Sequence, residues 1–446
     1  MSEILFNYEQ VHPTSWAYLS SLLIIALFFK FSRVWSLRNL DLIFLILLAP
    51  GLHCIKFGID QAGLLDNAPT IEQFGYIWLF SVTGVLLARM LLDSALVRRP
   101  LLEPNMTVGG LIFLGLSMFL FLTANVMTGT PTDTDLDTVE RAEALQEGKS
   151  TAVEHDMLAT HGPGFSFMFQ LPVIITQTIW EKSPEGNEGE RDESLRLEVV
   201  TARLMAVLSQ LLIVVGMMLI AVRHFDLPRM GIAAAVLYLL LPYTAIWTGN
   251  NTHVLPGAIL VWAILCYRRP VLSGGLLGLA FGTFYYPIFL LPLWISFYWK
   301  RGLYRMLIGF TVVVVLLVAT LAFTSTDFAM FLLRIRQMFG IRLPIDIDAQ
   351  GAWRYWIEWF RLPLLVFTAF LSLSLLLWPA QKNLATLLSL SAAIMLSTQF
   401  WHAHSGGLAL AWYLPLMLLV FFRPNLEDRV ALQVVMPWGK SKQPAG

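Results

Sequence analysis

Three aspartates in the stretch TGTPTDTDLDTVERAEALQEG, at positions 133, 135 and 137, have the type and spacing best suited to chemistry. A carboxylate held near a reaction centre can act as general base toward a hydroxyl or as a metal ligand. Asp133, Asp135 and Asp137 recur every second residue, too close together to read naturally as a solvated tail. The same residues admit a structural reading. Thr134 or Asp135 can cap a helix over DTVERAEALQEG, since Asp and Thr accept hydrogen bonds from the first free N–H groups and acids favour the positive helix end. Downstream, His155, Asp156 and His161 have ligand chemistry, although a few such residues in a polar loop are more often simply solvated. A second set is basic: Arg334, Arg336, Arg342, Arg354 and Arg361 fall within residues 325–361. The planar guanidinium fork matches phosphate oxygens. Trp353, Trp356 and Trp359, at spacings of three, equally suit a helix stripe lying among lipid headgroups, with Arg354 and Arg361 on lipid phosphates. Asn250, Asn251, Thr252 and His253, and His402 and His404 in WHAHSGG, complete the polar points; they line a common cavity or are solvated loop ends.

The elements that must position these residues are membrane helices. Of 446 residues, 57% are hydrophobic and 13% charged, against a charged share of roughly 25% in soluble domains. Apolar runs of about 15–25 residues recur along almost the whole chain, which predicts an all-α polytopic protein with about thirteen spans. They are expected at 15–31, 41–58, 74–92, 107–127, 199–222, 230–247, 254–267, 272–284, 286–299, 304–324, 362–379, 383–400 and 407–422. The first fourteen residues carry acids and no Lys or Arg, the wrong flank for a secretory signal, so the first span is expected to be retained. Zero net charge and the lack of a Lys/Arg block give no support for nucleic-acid binding. Cys54 and Cys266 lie inside apolar runs and read as small buried hydrophobes.

Orientation follows from Lys and Arg in short loops. Lys30, Arg33 and Arg38, then Arg98 and Arg99, Arg223 and Arg229, Arg268 and Arg269, Lys300 to Arg305, Lys382, and Arg423 to Lys442 all fall on the cytoplasmic side. The N-terminus is then outside and the C-terminus inside. The alternation closes only if 272–299 is a hairpin of two short helices broken at Tyr285-Tyr286-Pro287. Loops 128–198 and 325–361 both lie outside. The turn His161-Gly162-Pro163-Gly164 launches an apolar stretch interrupted by Pro172, read as an interfacial or re-entrant helix.

The order of these pieces resembles the GT-C superfamily of membrane glycosyltransferases, such as the protein mannosyltransferases and the lipid A aminoarabinose transferases. The similarity is carried by Asp133 to Asp137, AEALQEG at 142–148, GPGFSFMFQLP, Thr201-Ala202-Arg203-Leu204, the stretch RRPVLSGGLLGLAFGTFYYPIFLLPLWISFYWKRG and the tail WHAHSGGLALAWYLPLMLLVFF. It covers roughly residues 107–422. It implies a seven-span module at 107–324 with its catalytic outer loop at 128–198, a three-span N-terminal addition at 1–106, and a variable part at 325–446. The family often has Lys-Pro where this chain has Tyr-Tyr-Pro, and three aspartates compete for the catalytic place.

The resemblance implies an inverting glycosyltransferase of the cell (inner) membrane. A sugar would move from a polyprenyl-phosphate donor to an extracytoplasmic glycan, lipid or protein, with membrane lipids as surroundings. Asp135 is the first choice for general base, with Asp133 and Asp137 as alternates for base, acceptor binding or metal contact. Arg203, Arg334, Arg336, Arg342, His161, His253 and His402 are the substrate-binding candidates. No cofactor is demanded by these residues, and a divalent cation, Mg or Mn, stays open. The rival class is a transporter or flippase for a lipid or small polar solute, which would need broken helices and mid-membrane charge. Few ionisable groups fall within the apolar runs, and no internal repeat is evident. A scaffold that has lost activity is the third reading.

Overall fold

The computed structural model describes residues 13–96, 101–146, 161–180, 190–299, 301–325, 327–339, 351–380, 382–403 and 406–424. Helices begin where the sequence supplies caps. Ser36, Thr107 and Asn250 accept from the N–H of Asn39, Gly110 and Thr252, and Asn383 and Thr386 form a reciprocal capping box. Elsewhere a proline at the first turn opens the helix, as Pro228, Pro242 and Pro270 do, because the missing N–H is one that no helix would use there.

In chain order the helices are α1 (Pro13–Phe28), α2 (Leu37–Ile46), α3 (Leu48–Asp60), α4 (Ala68–Leu92), α5 (Val108–Thr128), α6 (Asp133–Gln146), α7 (Pro163–Trp180), α8 (Glu190–Ile220) and α9 (Pro228–Leu240). They continue with α10 (Pro242–Trp247), α11 (Asn251–Leu265), α12 (Pro270–Thr283), α13 (Leu291–Tyr298), α14 (Leu303–Thr324), α15 (Phe328–Phe339), α16 (Arg361–Ser374), α17 (Leu384–Gln399) and α18 (Leu414–Phe422). No β-strand occurs among the described residues; one isolated parallel bridge joins Gly351 and Gly406. Every apolar run read from the sequence contains helix, but 41–58 and 230–247 are each split into two helices, 362–379 is helical only to Ser374 and 407–422 is α-helical only from Leu414. Five are long and apolar enough to cross a membrane: Leu37–Asp60, Ala68–Ala95, Val108–Thr128, Arg196–Phe225 and Leu303–Ala322. Shorter apolar helices pack beside them.

The outer helices turn large apolar side chains outward, with Phe113 and Leu120 on α5 and Val315 and Leu316 on α14 all exposed. That surface suits lipid rather than water. The centre is the reverse: all 16 residues of α17 are buried. α12 and α14 approach closely because Gly274 and Gly309 present bare backbone, and a Cβ on Gly274 would strike the Met306 carbonyl. The hairpin expected at Tyr285 to Pro287 is present, with Phe284 extended and a 3₁₀ turn Tyr286–Leu290 leading into α13.

The connections sort into two sets in mutual contact, one at each end of the bundle. In the first, Arg38 donates to the carbonyls of Phe28, Leu101 and Glu103, and Arg229 donates to those of Pro104 and Met106. Asp93 there receives Arg89 at 3.0 Å and Arg423 at 2.6 Å, while Arg89 also holds Asp41 at 2.9 Å. At the opposite end the Gly162 N–H donates to the Thr283 carbonyl, Tyr355 Oη to Glu72, Trp412 Nε1 to the Thr252 carbonyl and Arg361 to the Trp401 carbonyl. Gly162 is required there, since a Cβ would collide with the Gly282 carbonyl.

One expectation needs correction. Trp353, Trp356 and Trp359 do not form a helix stripe; Trp353 and Trp359 lie on two separate 3₁₀ turns, Ala352–Arg354 and Glu358–Phe360, and Trp356 on the bend between them. Gly351, at a φ of 69° and bridged to Gly406, together with the Tyr355–Glu72 bond, holds that segment to the bundle. Trp353 is thereby buried and Trp356 stacks on Phe80, whereas Trp359 is exposed. Of the few ionisable groups within the apolar runs, Asp41 and Arg89 join Asp93 and Arg423, just past the run ends, in one buried ionic chain.

Candidate active site

Helix α6 decides the roles of the three aspartates. The expected cap at Thr134 or Asp135 is displaced to Thr132, whose Oγ1 accepts the Asp135 N–H at 3.3 Å and donates to Asp135 Oδ2 at 2.8 Å. All three acids then lie in the helix, where residues two apart project nearly opposite ways and residues four apart share a face. Asp133 is exposed and Asp137 half-buried on one side; burial first, and then the Asp133 charge, raise the Asp137 carboxyl above its ordinary range. Asp135 points the other way and is fully buried, not the loop-exposed acid that the sequence implied.

Burial costs a carboxylate its hydration, so Asp135 is pushed up to about 6, against hydrogen bonds from Thr132 and Asn251 that pull it down. Its Oδ2 takes the Thr132 hydroxyl and, at 3.5 Å, the backbone N–H of Asn251 in the first turn of α11. Its Oδ1 takes no hydrogen bond. The Asn251 side chain donates to the Ala202 carbonyl at 3.0 Å, leaving its own Oδ1 equally without a donor. Two neighbouring buried acceptors therefore lack a donor, a demand that a hydroxyl would meet.

Beyond Thr132 lies a cavity of about 430 Å³ with a mixed polar and apolar lining, within the range of about 300–1,000 Å³ usual for small-molecule sites. Thr132, which bonds Asp135, is part of its wall, as is Asn250, the neighbour of the Asn251 whose N–H reaches Asp135; Asp135 and Asn251 themselves lie behind that wall. The rest is built where α10 packs on α1 and α3, and where α5 ends beside α8. Arg203 enters from α8 and spends Nε and Nη2 on the Gly129 carbonyl, at 3.1 and 2.7 Å. Lys56 enters from α3, and Trp16 and Trp247 from α1 and α10.

The other residues singled out from the sequence are scattered. His253 is buried behind the cavity, its ring parallel to Trp247 at 5.4 Å and its Nδ1 3.1 Å from the Tyr243 hydroxyl. His161 and His402 share an aromatic layer away from the cavity: His161 packs on Phe165 and Phe284, Phe284 on Trp412, and Trp412 on His402. Arg334 is buried, not exposed as expected, and donates to Ser325 Oγ at 3.0 Å and toward the Leu321 carbonyl at the end of α14. Of Arg336 only the backbone is described, and Arg342, His155, Asp156 and His404 lie outside the described residues. Thr132, Lys56, Trp16 and Trp247 escaped the sequence reading. Only Thr132 carried a usable signal, as a Thr three residues before an acid at a helix start.

The three aspartates diverge around α6 and do not converge on one cation. Among the described residues, no group of three or more His, Cys, Asp or Glu side chains could hold a metal ion. No protein-family model matches the chain, and no curated protein or solved structure is significantly similar to it.

Proposed function

We propose that this protein is an inverting glycosyltransferase of the cell (inner) membrane, moving a sugar from a polyprenyl-phosphate donor to an extracytoplasmic acceptor with Asp135 as general base. The observation that supports the reading is a fully buried carboxylate whose Oδ1 takes no hydrogen bond, one residue behind a cavity wall that its partner Thr132 shares. In this reading Asp135 Oδ1 takes the proton of the acceptor hydroxyl while that oxygen attacks the anomeric carbon. The bond from that carbon to the phosphate oxygen breaks, its electron pair leaves with the phosphate, and configuration inverts. The cavity end of the bundle is then extracytoplasmic, the N-terminus outside and the C-terminus inside. The short helices complete about thirteen crossings in a GT-C-like arrangement. Their basic loops support this, since Lys30 to Arg38, Arg229 and Arg423 gather at the opposite end.

The test is transfer from a short-chain prenyl-phosphate sugar in proteoliposomes. Asp135→Asn should lower the rate by about 10²–10⁴-fold, the usual worth of a positioned base, with normal membrane expression. Full activity would end the catalytic reading. One observation favours the rival reading, a transporter or flippase: the chain breaks at Leu241-Pro242, and the short α10 that follows leads into the cavity. Solute or lipid movement across the same proteoliposomes without transfer would select it.

A further inference from the structure

The end of the bundle opposite the cavity carries a turn that the proposed chemistry leaves unused. Between α1 and α2 the chain reads Phe29-Lys30-Phe31-Ser32-Arg33-Val34-Trp35-Ser36, and every residue from Lys30 to Trp35 is exposed. Trp35 is 85% exposed and Phe31 72%. Buried side chains hold this turn from beneath. Asn39 accepts the Lys30 N–H at 3.1 Å and donates to the Lys30 and Arg33 carbonyls at 2.9 and 3.0 Å. Arg38 donates to the Phe28 carbonyl at 2.9 Å, and Asn105 to the Phe29 carbonyl at 3.2 Å. With its backbone groups tied inward, the turn projects aromatic and basic side chains outward in one fixed set.

Charge and depth indicate what covers that set. Among the described residues, neither the Lys30 ammonium nor the Arg33 guanidinium has an ion pair. Helix α1 has 16 residues, which span roughly 24 Å, short of a hydrocarbon core of about 30 Å. A crossing by α1 therefore ends on the turn itself. Trp299, Tyr304 and Trp378 are also exposed at this end. Contacts link them to the turn: Arg229 donates to the Pro104 and Met106 carbonyls, His224 Nε2 to that of Leu265, Tyr298 Oη to that of Tyr267, and Lys382 to Ser296 Oγ. Exposed Trp and Tyr gathered at one end mark a membrane–water boundary.

We propose that the Phe29–Ser36 turn is a site for an anionic phospholipid, with Phe31, Val34 and Trp35 in the acyl margin and Lys30 and Arg33 closing on one headgroup phosphate. In the orientation proposed above this is the cytoplasmic leaflet. Aromatic side chains that need an acyl margin select a lipid over free phosphate, and two unpaired cations select an anionic headgroup over a zwitterionic one. The site rests on the membrane reading of the apolar helices and not on the transferase chemistry.

The experiment is native mass spectrometry of the full chain, freed of lipid in a nonionic detergent and titrated with phosphatidylglycerol or phosphatidylcholine. The first phosphatidylglycerol should bind about 10-fold more tightly than the first phosphatidylcholine, or better. Lys30→Gln and Arg33→Gln should each weaken phosphatidylglycerol about 5-fold, the usual effect of one basic residue at an anionic leaflet, and leave phosphatidylcholine unchanged. Trp35→Ala should weaken both lipids, because the ring acts by burial whatever the headgroup. Inorganic phosphate should not compete. A nitroxide on Val34→Cys, with Cys54 and Cys266 changed to Ser, should in phosphatidylglycerol liposomes collide more with oxygen than with a water-soluble nickel chelate. The proposal is overturned if the double variant Lys30→Gln, Arg33→Gln keeps the parent's preference for phosphatidylglycerol, or if inorganic phosphate competes as well as the lipid. It is also overturned if the nitroxide meets the chelate more than oxygen, which would put the turn in water as a surface for a soluble partner. Full transfer by Asp135→Asn would remove the base and leave this lipid site standing.

Discussion

Replacing Asp135 by Asn should do two opposite things at once, and the stability half follows from burial alone. The fold raises this carboxyl from 3.8 to about 6. A raised carboxyl favours the protonated state, so its contribution to stability is complete below about pH 4 and is lost as pH climbs through about 6. At pH 7–8 the buried anion costs the fold about 3 kcal/mol relative to an ordinary aspartate. Asn cannot ionise. It can accept from Thr132 as Asp135 does, and its amide can donate where Asn251 Oδ1 lacks a donor. Thermal unfolding in detergent should therefore place Asp135→Asn above the parent at pH 8, by about 3–6 °C for a chain of this size. The gap should be about halved at pH 5 and close below about pH 4. Transfer by the parent should fall as pH drops below about 6, because the base is then protonated, while the variant stays low throughout. A variant less stable than the parent at pH 8, or a gap that does not change with pH, would refute the claim that the protein holds a costly anion there. A residue kept only as a helix cap predicts no such gap, since Asn caps about as well as Asp.

Arg334→Ala should destabilise the protein by about 2–3 kcal/mol, since it removes a buried side chain bonded to the end of α14; unfolding in detergent measures it, and normal stability with a raised donor KM would instead restore a role in binding phosphate. Arg89→Met removes the buried cation that joins Asp41 to Asp93, although Asp93 keeps Arg423, and should cost about 3–5 kcal/mol. Adding Asp41→Asn should recover part of that loss, and failure to recover any would mean that the chain of charges is not coupled. Gly274→Val forces α12 from α14 at the Met306 carbonyl and should cost about 1–3 kcal/mol, read as lower yield of folded protein.

What the sequence discloses and what it withholds divide by the range of the interaction. An apolar run in lipid must satisfy its own backbone, so each run folds as helix whatever its neighbours do, and the positions of the helices could be read off one by one. The split among the three aspartates was one step further away. The geometry of α6 implies it, but only once the helix is started at Thr132, because two residues of slippage at the cap decide whether Asp135 lies before the helix or inside it. The cavity was beyond reach. Arg203 was reached only through the resemblance; Trp16, Lys56 and Trp247 come from three other helices and share no periodicity, so nothing local distinguishes them from any span-end Trp or Lys. The ionic chain was hidden differently: Arg89 and Asp41 are 48 residues apart and Arg423 and Asp93 are 330 apart, and Arg423 already had a sufficient explanation as a loop-end positive charge. A basic residue at a span end thus serves two masters, orientation and packing. The sequence reports the first because it is a property of one loop, and conceals the second because it is a property of two helices brought together.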